Sequence, residues 1–200
     1  MQDLTRDTTY KIDLHALPGG YDVPAYRREM GVAVDSSKTK RALRVVGPRW
    51  SGDGTYALVD VRADDNKTRW IARLDPATGA LTALDVQQDD AWIGGPGVGW
   101  FGTFGWMPDG RHFYFQSEKT GYSHLYVGDA ETGAIRAVTS GAFEVSDVFL
   151  TKDGKTFYFT STEASPYERH LYRVGADGGT RTRITTEPGH HDATFDPRGE

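Results

Sequence analysis

Apolar and polar residues alternate along this chain in short runs, each closed by a glycine-bearing turn. One phrase recurs: an Asp-Gly turn, an aromatic strand, a second strand, a second turn and a closing strand. Its copies open at Trp50-Ser-Gly-Asp-Gly-Thr-Tyr56, Trp106-Met-Pro-Asp-Gly-Arg-His-Phe-Tyr-Phe115 and Leu150-Thr-Lys-Asp-Gly-Lys-Thr-Phe-Tyr-Phe159. A fourth opens at Phe195-Asp-Pro-Arg-Gly199, and the chain is expected to stop within it. Runs of Val, Ile, Thr, Tyr and Phe bounded by Asp-Gly or Thr-Gly predict antiparallel strands, because glycine supplies the positive φ these turns require.

The turn glycines Gly54, Gly110, Gly154 and Gly199 lie 56, 44 and 45 residues apart. The last two spacings match the roughly 40–50 residues of a four-stranded propeller blade. The pattern predicts an all-β chain, a partial β-propeller of four-stranded antiparallel blades: about three complete blades, with partial blades at both ends. Residues 1–47 read as an entry loop and the outer strands of an earlier blade, with Gly31–Asp35 and Arg41–Val46 as a hairpin. Residues 48–90, 104–145 and 146–188 read as blades, and 189–200 as the first strand of a truncated one. The longer first spacing marks a Gly/aromatic insertion over 91–103, Trp92-Ile-Gly-Gly-Pro-Gly-Val-Gly-Trp100 at its centre. Sheet edges left open by such a cut are expected to invite pairing between copies, a homodimer.

Composition narrows the class. Twenty-four glycines and nine prolines suit many tight turns, and 38% hydrophobic residues suffice for a core. A net charge of −5 without a basic stripe argues against nucleic acid. No apolar run is long enough to span a membrane, and the first residues lack the apolar segment of a signal peptide. Cysteine is absent, which excludes disulfides and thiolate metal sites but leaves the compartment open between periplasm and cytoplasm.

Candidate chemistry is sparse. No Gly-x-Ser-x-Gly elbow occurs; Gly121-Tyr-Ser-His-Leu125 lacks the closing glycine and precedes a strand, so Ser123 and His124 read as structural. His190-His191-Asp192, with His170 and Glu168 upstream, is the one metal-like cluster. Adjacent histidines on an extended segment point to opposite faces, so no metal is expected there. The stretch Gly94–Gly99 matches no phosphate loop, as neither a lysine nor a helix follows. It reads as backbone packed flat on a neighbouring blade, with Trp92, Trp100 and Phe101 filling the space. No cofactor and no catalytic residue are expected.

Longer phrases resemble a known family. Gln116-Ser-Glu-Lys-Thr-Gly-Tyr-Ser-His-Leu-Tyr126, Val138-Thr-Ser-Gly-Ala-Phe-Glu-Val145 and Tyr158-Phe-Thr-Ser-Thr-Glu-Ala-Ser-Pro-Tyr-Glu-Arg-His-Leu-Tyr172 resemble, in order and spacing, lines of the propellers of dipeptidyl peptidase IV-type serine peptidases, of the prolyl oligopeptidase class. The resemblance covers about residues 100–192 and is looser before. It implies a parent enzyme in which an N-terminal propeller admits and positions peptides for a C-terminal α/β-hydrolase domain with a Ser-His-Asp triad. It also implies a pair of adjacent glutamates that anchors the peptide's amino group. Neither the triad nor a Glu-Glu dipeptide lies in this chain, which alone is expected to be inactive. By position, Trp100 and Phe101 correspond to a loop near the substrate pocket and are the substrate-proximal candidates. Ser161–Arg169 reads as a fold-defining turn in which Arg169 pairs with Glu163 or Glu168. The competing reading is a free-standing, TolB-like propeller that binds a protein partner. It shares the Asp-Gly repeat but lacks the Glu-Arg-His-Leu-Tyr line.

Overall fold

The computed structural model describes residues 2–3, 8–21, 25–31, 40–99 and 102–196. Among the described residues helix is confined to a turn of 3-10 helix at Leu14–Ala16 and a short α1 at Ala25–Glu29. The rest is strand and turn. The chain divides into two units, Met1–Asp90 and Ala91–Glu200.

In the first unit β1 (Gln2–Asp3) pairs with β2 (Thr8–Thr9). One four-stranded antiparallel meander follows, in the order β3 (Leu43–Trp50), β4 (Ala57–Ala63), β5 (Thr68–Leu74) and β6 (Leu81–Gln88). β3 crosses the boundary expected at residue 47. In place of an outer strand of an earlier blade over Arg41–Val46, Leu43–Val46 runs on through Trp50 as the first strand of this sheet, with Val45 opposite Val61 and Trp50 opposite Ala57. Pro48 has no N–H to give the ladder, which reads in sequence as a break. A register shift between Val46 and Arg49 absorbs it instead. The hairpin partner expected at 31–35 lies almost wholly outside the described residues.

Val59, Val61, Ala63, Trp70 and Ala72 make one apolar face of this sheet, and Leu17 packs on it. The Trp70 indole N–H donates to the Pro18 carbonyl at 2.8 Å, which ties the entry loop down. Asp60 is fully buried between two buried arginines. Arg62 gives it two hydrogen bonds, of 3.0 and 2.7 Å, and Arg69 one of 3.0 Å. Arg62 and Arg69 face each other across β4 and β5. The carboxylate between them is what lets two guanidinium groups share a buried site.

The second unit holds two such sheets. The first runs β7 (Phe104–Trp106), β8 (His112–Ser117), β9 (His124–Asp129), β10 (Ile135–Ala137). The second runs β11 (Val145–Leu150), β12 (Thr156–Ser161), β13 (His170–Gly175), β14 (Thr182–Arg183). Leu125, Val127, Val145, Phe157, Phe159 and Val174 belong to one buried cluster spanning both sheets, and Tyr114 of β8 meets Phe157 of β12 edge-on at 5.4 Å. Four-stranded sheets built this way are propeller blades, and the fold is an all-β partial propeller.

The repeat is visible in the turns. Asp53 accepts from Ser51 Oγ (2.6 Å) and Thr55 N (3.0 Å), and Asp153 accepts from Thr151 Oγ1 (2.6 Å) and Lys155 N (3.0 Å). Gly54 and Gly154 follow at φ +72° and +70°. These bonds hold the exposed Asp53 carboxyl down at about 2. The fourth copy departs from expectation. Residues 189–196 carry a single parallel bridge, Arg169 to His190, and no strand. Phe195 nevertheless stacks on Phe149 at 4.2 Å. Residues 197–200 lie outside the described residues.

Truncating the fully buried Phe157 to Ala should cost about 3–5 kcal/mol in urea unfolding; a cost under about 1 kcal/mol would show that the two sheets do not share a core. Asp60→Ala should cost about 3–5 kcal/mol, because it leaves Arg62 and Arg69 buried without their carboxylate. A near-neutral result in the same assay would contradict the buried triad.

Candidate functional site

In an antiparallel meander, the turns between strands one and two and between strands three and four lie at one end of the sheet. The connections between strands two and three, and from one blade to the next, lie at the other. In the second unit this second end gathers Glu118–Ser123, Thr162–Arg169, the 138–144 link and the glycine-rich segment that leads into β7. Among its described residues three side chains are large, aromatic and exposed: Trp92, Tyr122 and Tyr167. Trp100 and Phe101, the expected substrate-proximal residues, lie outside the described residues.

The glycine-rich loop is clamped by a carboxylate. Glu118 accepts from Gly94 N at 2.9 Å through Oε1 and from Gly95 N at 2.7 Å through Oε2. Ser123 Oγ donates to the Pro96 carbonyl at 2.6 Å. Gln116, fully buried, donates to the Val145 carbonyl at 2.7 Å and to Ser123 Oγ at 3.2 Å. Inside the loop, Val98 N and Gly99 N both donate to Gly95 O, and Thr103 N donates to Gly97 O at 2.7 Å. A Cβ on Gly95 would overlap Glu118 Oε2, and one on Gly97 would overlap Gln116 Oε1. Gly95 and Gly97 permit this close approach. Trp92 differs: its side chain does not fill the space but stands outward.

Ser123 and His124 are not a nucleophile and its base. The Ser123 hydroxyl is committed to Pro96. His124 is buried with Nδ1 3.2 Å from Thr139 Oγ1 and Nε2 2.9 Å from the Gly141 carbonyl. The next blade repeats the device: His170 Nδ1 lies 3.1 Å from Thr185 Oγ1, and Leu171 N donates to that hydroxyl at 3.0 Å, as Leu125 N does to Thr139. His170 Nε2 meets Glu168 at 2.8 Å. The expected Arg169 pairings are replaced. Glu163 takes a bidentate contact from Arg181, at 2.9 and 2.5 Å, while Arg169 sits 3.8 Å from Asp147. The Arg181 guanidinium lies 5.0 Å over Phe143, which in turn meets His124 edge-on. His190 and His191 turn to the carbonyls of Tyr167 and Glu187. Among the described residues no three His, Asp or Glu side chains are grouped to hold a metal ion.

At the opposite end a cleft of about 460 Å³ opens between the two blades, lined by Met107, Asp109, His112, Arg136 and Lys155 among others. Within it His112 Nδ1 meets Asp109 at 2.6 Å, and Arg136 donates to the Ala176 carbonyl at 2.6 Å and lies 3.7 Å from Asp177.

A family model described as "Dipeptidyl peptidase IV (DPP IV) N-terminal region" matches residues 23–200. The chain belongs to this family. Among curated proteins it is 29% identical over 113 residues to dipeptidyl peptidase 4 of Arthroderma otae, covering 49% of this chain and 15% of that protein. It is 38% identical over 80 residues to the probable dipeptidyl-aminopeptidase B of Aspergillus niger, covering 38% of this chain and 9% of that protein. The chain therefore matches only a small part of the length of these relatives. Among solved structures, Porphyromonas gingivalis dipeptidyl peptidase 4 superposes with a TM-score of 0.62 at 22% identity, over 72% of this chain and 20% of that one. That likeness shows the fold. A dipeptidyl peptidase-like propeller domain is thus what the all-β blades and the His-Leu-Tyr lines amount to, and no helix among the described residues is long and apolar enough to cross a membrane.

Burial pushes the His124 imidazole below its ordinary value of about 6.5, with the Gly141 carbonyl and the Glu144 charge opposing. As pH falls below the ordinary value, the unfolded chain takes up a proton that the folded chain still refuses. Stability is therefore lost on acidification through that window. The thermal midpoint should fall between about pH 7.5 and about pH 5.5, and His124→Gln should flatten that slope. An unaltered slope in the variant would remove His124 from the account.

Proposed function

We propose that this chain is the non-catalytic propeller of a serine-type peptidase that releases dipeptides, admitting and positioning peptides for an α/β-hydrolase domain carried elsewhere in the same protein. The observation that carries the reading is the family match across residues 23–200, joined to a recognition end with exposed aromatics on a fixed backbone. The chemistry of this end agrees. The one adjacent Ser-His pair spends its polar atoms on the fold. What this end offers instead is shape and apolar contact. Loops on a rigid scaffold are suited to that task. Such contacts hold a peptide while another group cuts it.

The full-length gene product should hydrolyse Gly-Pro-p-nitroanilide, read as released p-nitroaniline. A serine-directed phosphonate should abolish that turnover, and residues 1–200 expressed alone should show none. Turnover by 1–200 alone, or none by the full-length protein, would sink the proposal; in the second case, a protein retained on the chain in purified form would favour the binding-module reading.

A further inference from the structure

The cleft between the two blades of the second unit has an apolar floor and a charged rim. Met107, Val127 and Ala176 line it, and all three belong to the buried cluster that the two sheets share. One wall is fixed by contact between turns: Pro108 of one blade lies so close to Gly154 of the next that a Cβ there would overlap it. The volume, about 460 Å³, falls within the roughly 300–1,000 Å³ of small-molecule sites. On the rim, Asp109 is fully engaged: it accepts from the backbone N–H groups of Arg111 and His112 and meets the His112 ring. Arg136, on β10, reaches across to the next blade, where one terminal nitrogen donates to the Ala176 carbonyl at 2.6 Å and lies 3.7 Å from Asp177. Its Nε and its other terminal nitrogen have no hydrogen-bond partner among the described residues, and neither has the Lys155 ammonium. The Asp177 carboxylate accepts no hydrogen bond from a described residue.

We propose that this cleft binds the C-terminal residue of a peptide, one with an apolar side chain. Its carboxylate takes the open N–H groups of Arg136 and the Lys155 ammonium, its backbone N–H donates to Asp177, and its side chain enters the apolar floor. A guanidinium already held through one nitrogen presents its remaining donors in a fixed plane, which suits a carboxylate and loses little freedom on contact. Arg136 beside Asp177 offsets the repulsion between that carboxylate and the incoming one. The three features together select this ligand. An inorganic anion would use the donors and leave the floor empty. An apolar amide would fill the floor and leave the donors open. A fatty acid would do both but would offer Asp177 no N–H. The cleft lies at the opposite end of the blades from the glycine-rich loop, and the inference does not depend on the peptidase reading.

The test is a ligand-observed NMR titration of the full-length protein with N-acetyl-leucine, N-acetyl-leucinamide and hexanoate. N-acetyl-leucine should bind with a Kd on the order of 1 mM, the scale expected for about a dozen heavy atoms. The amide, which lacks the charge, and hexanoate, which lacks the N–H, should each bind about 5-fold or more weakly. Arg136→Gln and Lys155→Gln should each weaken N-acetyl-leucine by about 3- to 10-fold. The Lys155 side chain makes no hydrogen bond to a described residue, so Lys155→Gln decides alone if Arg136→Gln does not fold. Equal binding of the amide or of hexanoate overturns the inference, and so does a Kd unchanged in the folded variants or no binding of N-acetyl-leucine at all. Each of these outcomes leaves cleavage of Gly-Pro-p-nitroanilide, and the peptidase reading, where it stood.

Discussion

Tyr114 of one blade against Phe157 of the next is the contact on which the second unit depends. The second strands of these two blades carry aromatic residues on both faces. Phe113 and Phe115 in β8, and Phe157 and Phe159 in β12, are all fully buried. A lone four-stranded sheet would leave one of those faces in water. The Phe-Tyr-Phe run solves this by sending Phe residues to one face and Tyr to the other, the period-two geometry of a strand. The Tyr of one blade then meets the Phe of its neighbour. Recurrence of the phrase every 44 or so residues is therefore a packing requirement carried from blade to blade.

Polar atoms finish what the aromatics begin. Each blade of the second unit carries a histidine at the start of its third strand, and a threonine fifteen residues later that meets the ring and receives the next backbone N–H. The latch joins strand three to the segment that follows the outer strand. It compensates for outer strands only three and two residues long, which offer few ladder bonds. Because the latches lie at the loop end of the strands, they also steady the connections that emerge there. The contacts run on from there: His124 meets Phe143 edge-on, and Arg181, paired with Glu163, lies over that ring.

The blades were legible because their signals are local. An Asp-Gly turn declares itself within five residues, and its hydrogen bonds are the ones that an aspartate two residues from an N–H must make. The His-Leu-Tyr lines carried the family. What escaped was long in sequence or contradicted a local rule. Pro48 obeys the rule that proline ends a ladder only in part, since a bulge lets β3 continue to Trp50. Glu118 lies 23 residues beyond Gly95 and resembles any surface glutamate until the loop folds onto it. Glu163 chose Arg181, 18 residues on, over the nearer Arg169, because the blade returns Arg181 to its side. Asp60 did leave a trace: an aspartate and an arginine two apart within Leu58-Val-Asp-Val-Arg62 share one face of a strand and invite a pair.

The clamp on the glycine loop reconciles two demands that ordinarily conflict. Close approach of backbone to Gln116 and Glu118 requires glycine, and a run of glycines is the most flexible backbone a chain can have. A mobile loop would present Trp92 in many orientations and spend binding energy on ordering it. Two N–H bonds to one carboxylate, a serine on the Pro96 carbonyl and buried Ile93 and Val98 remove that freedom during folding. The loop is then rigid because of where it is bound, not because of what it is made of. Substitution at Glu118 would therefore loosen backbone that Glu118 itself holds from outside the loop, which is how the blade comes to govern the surface it supports.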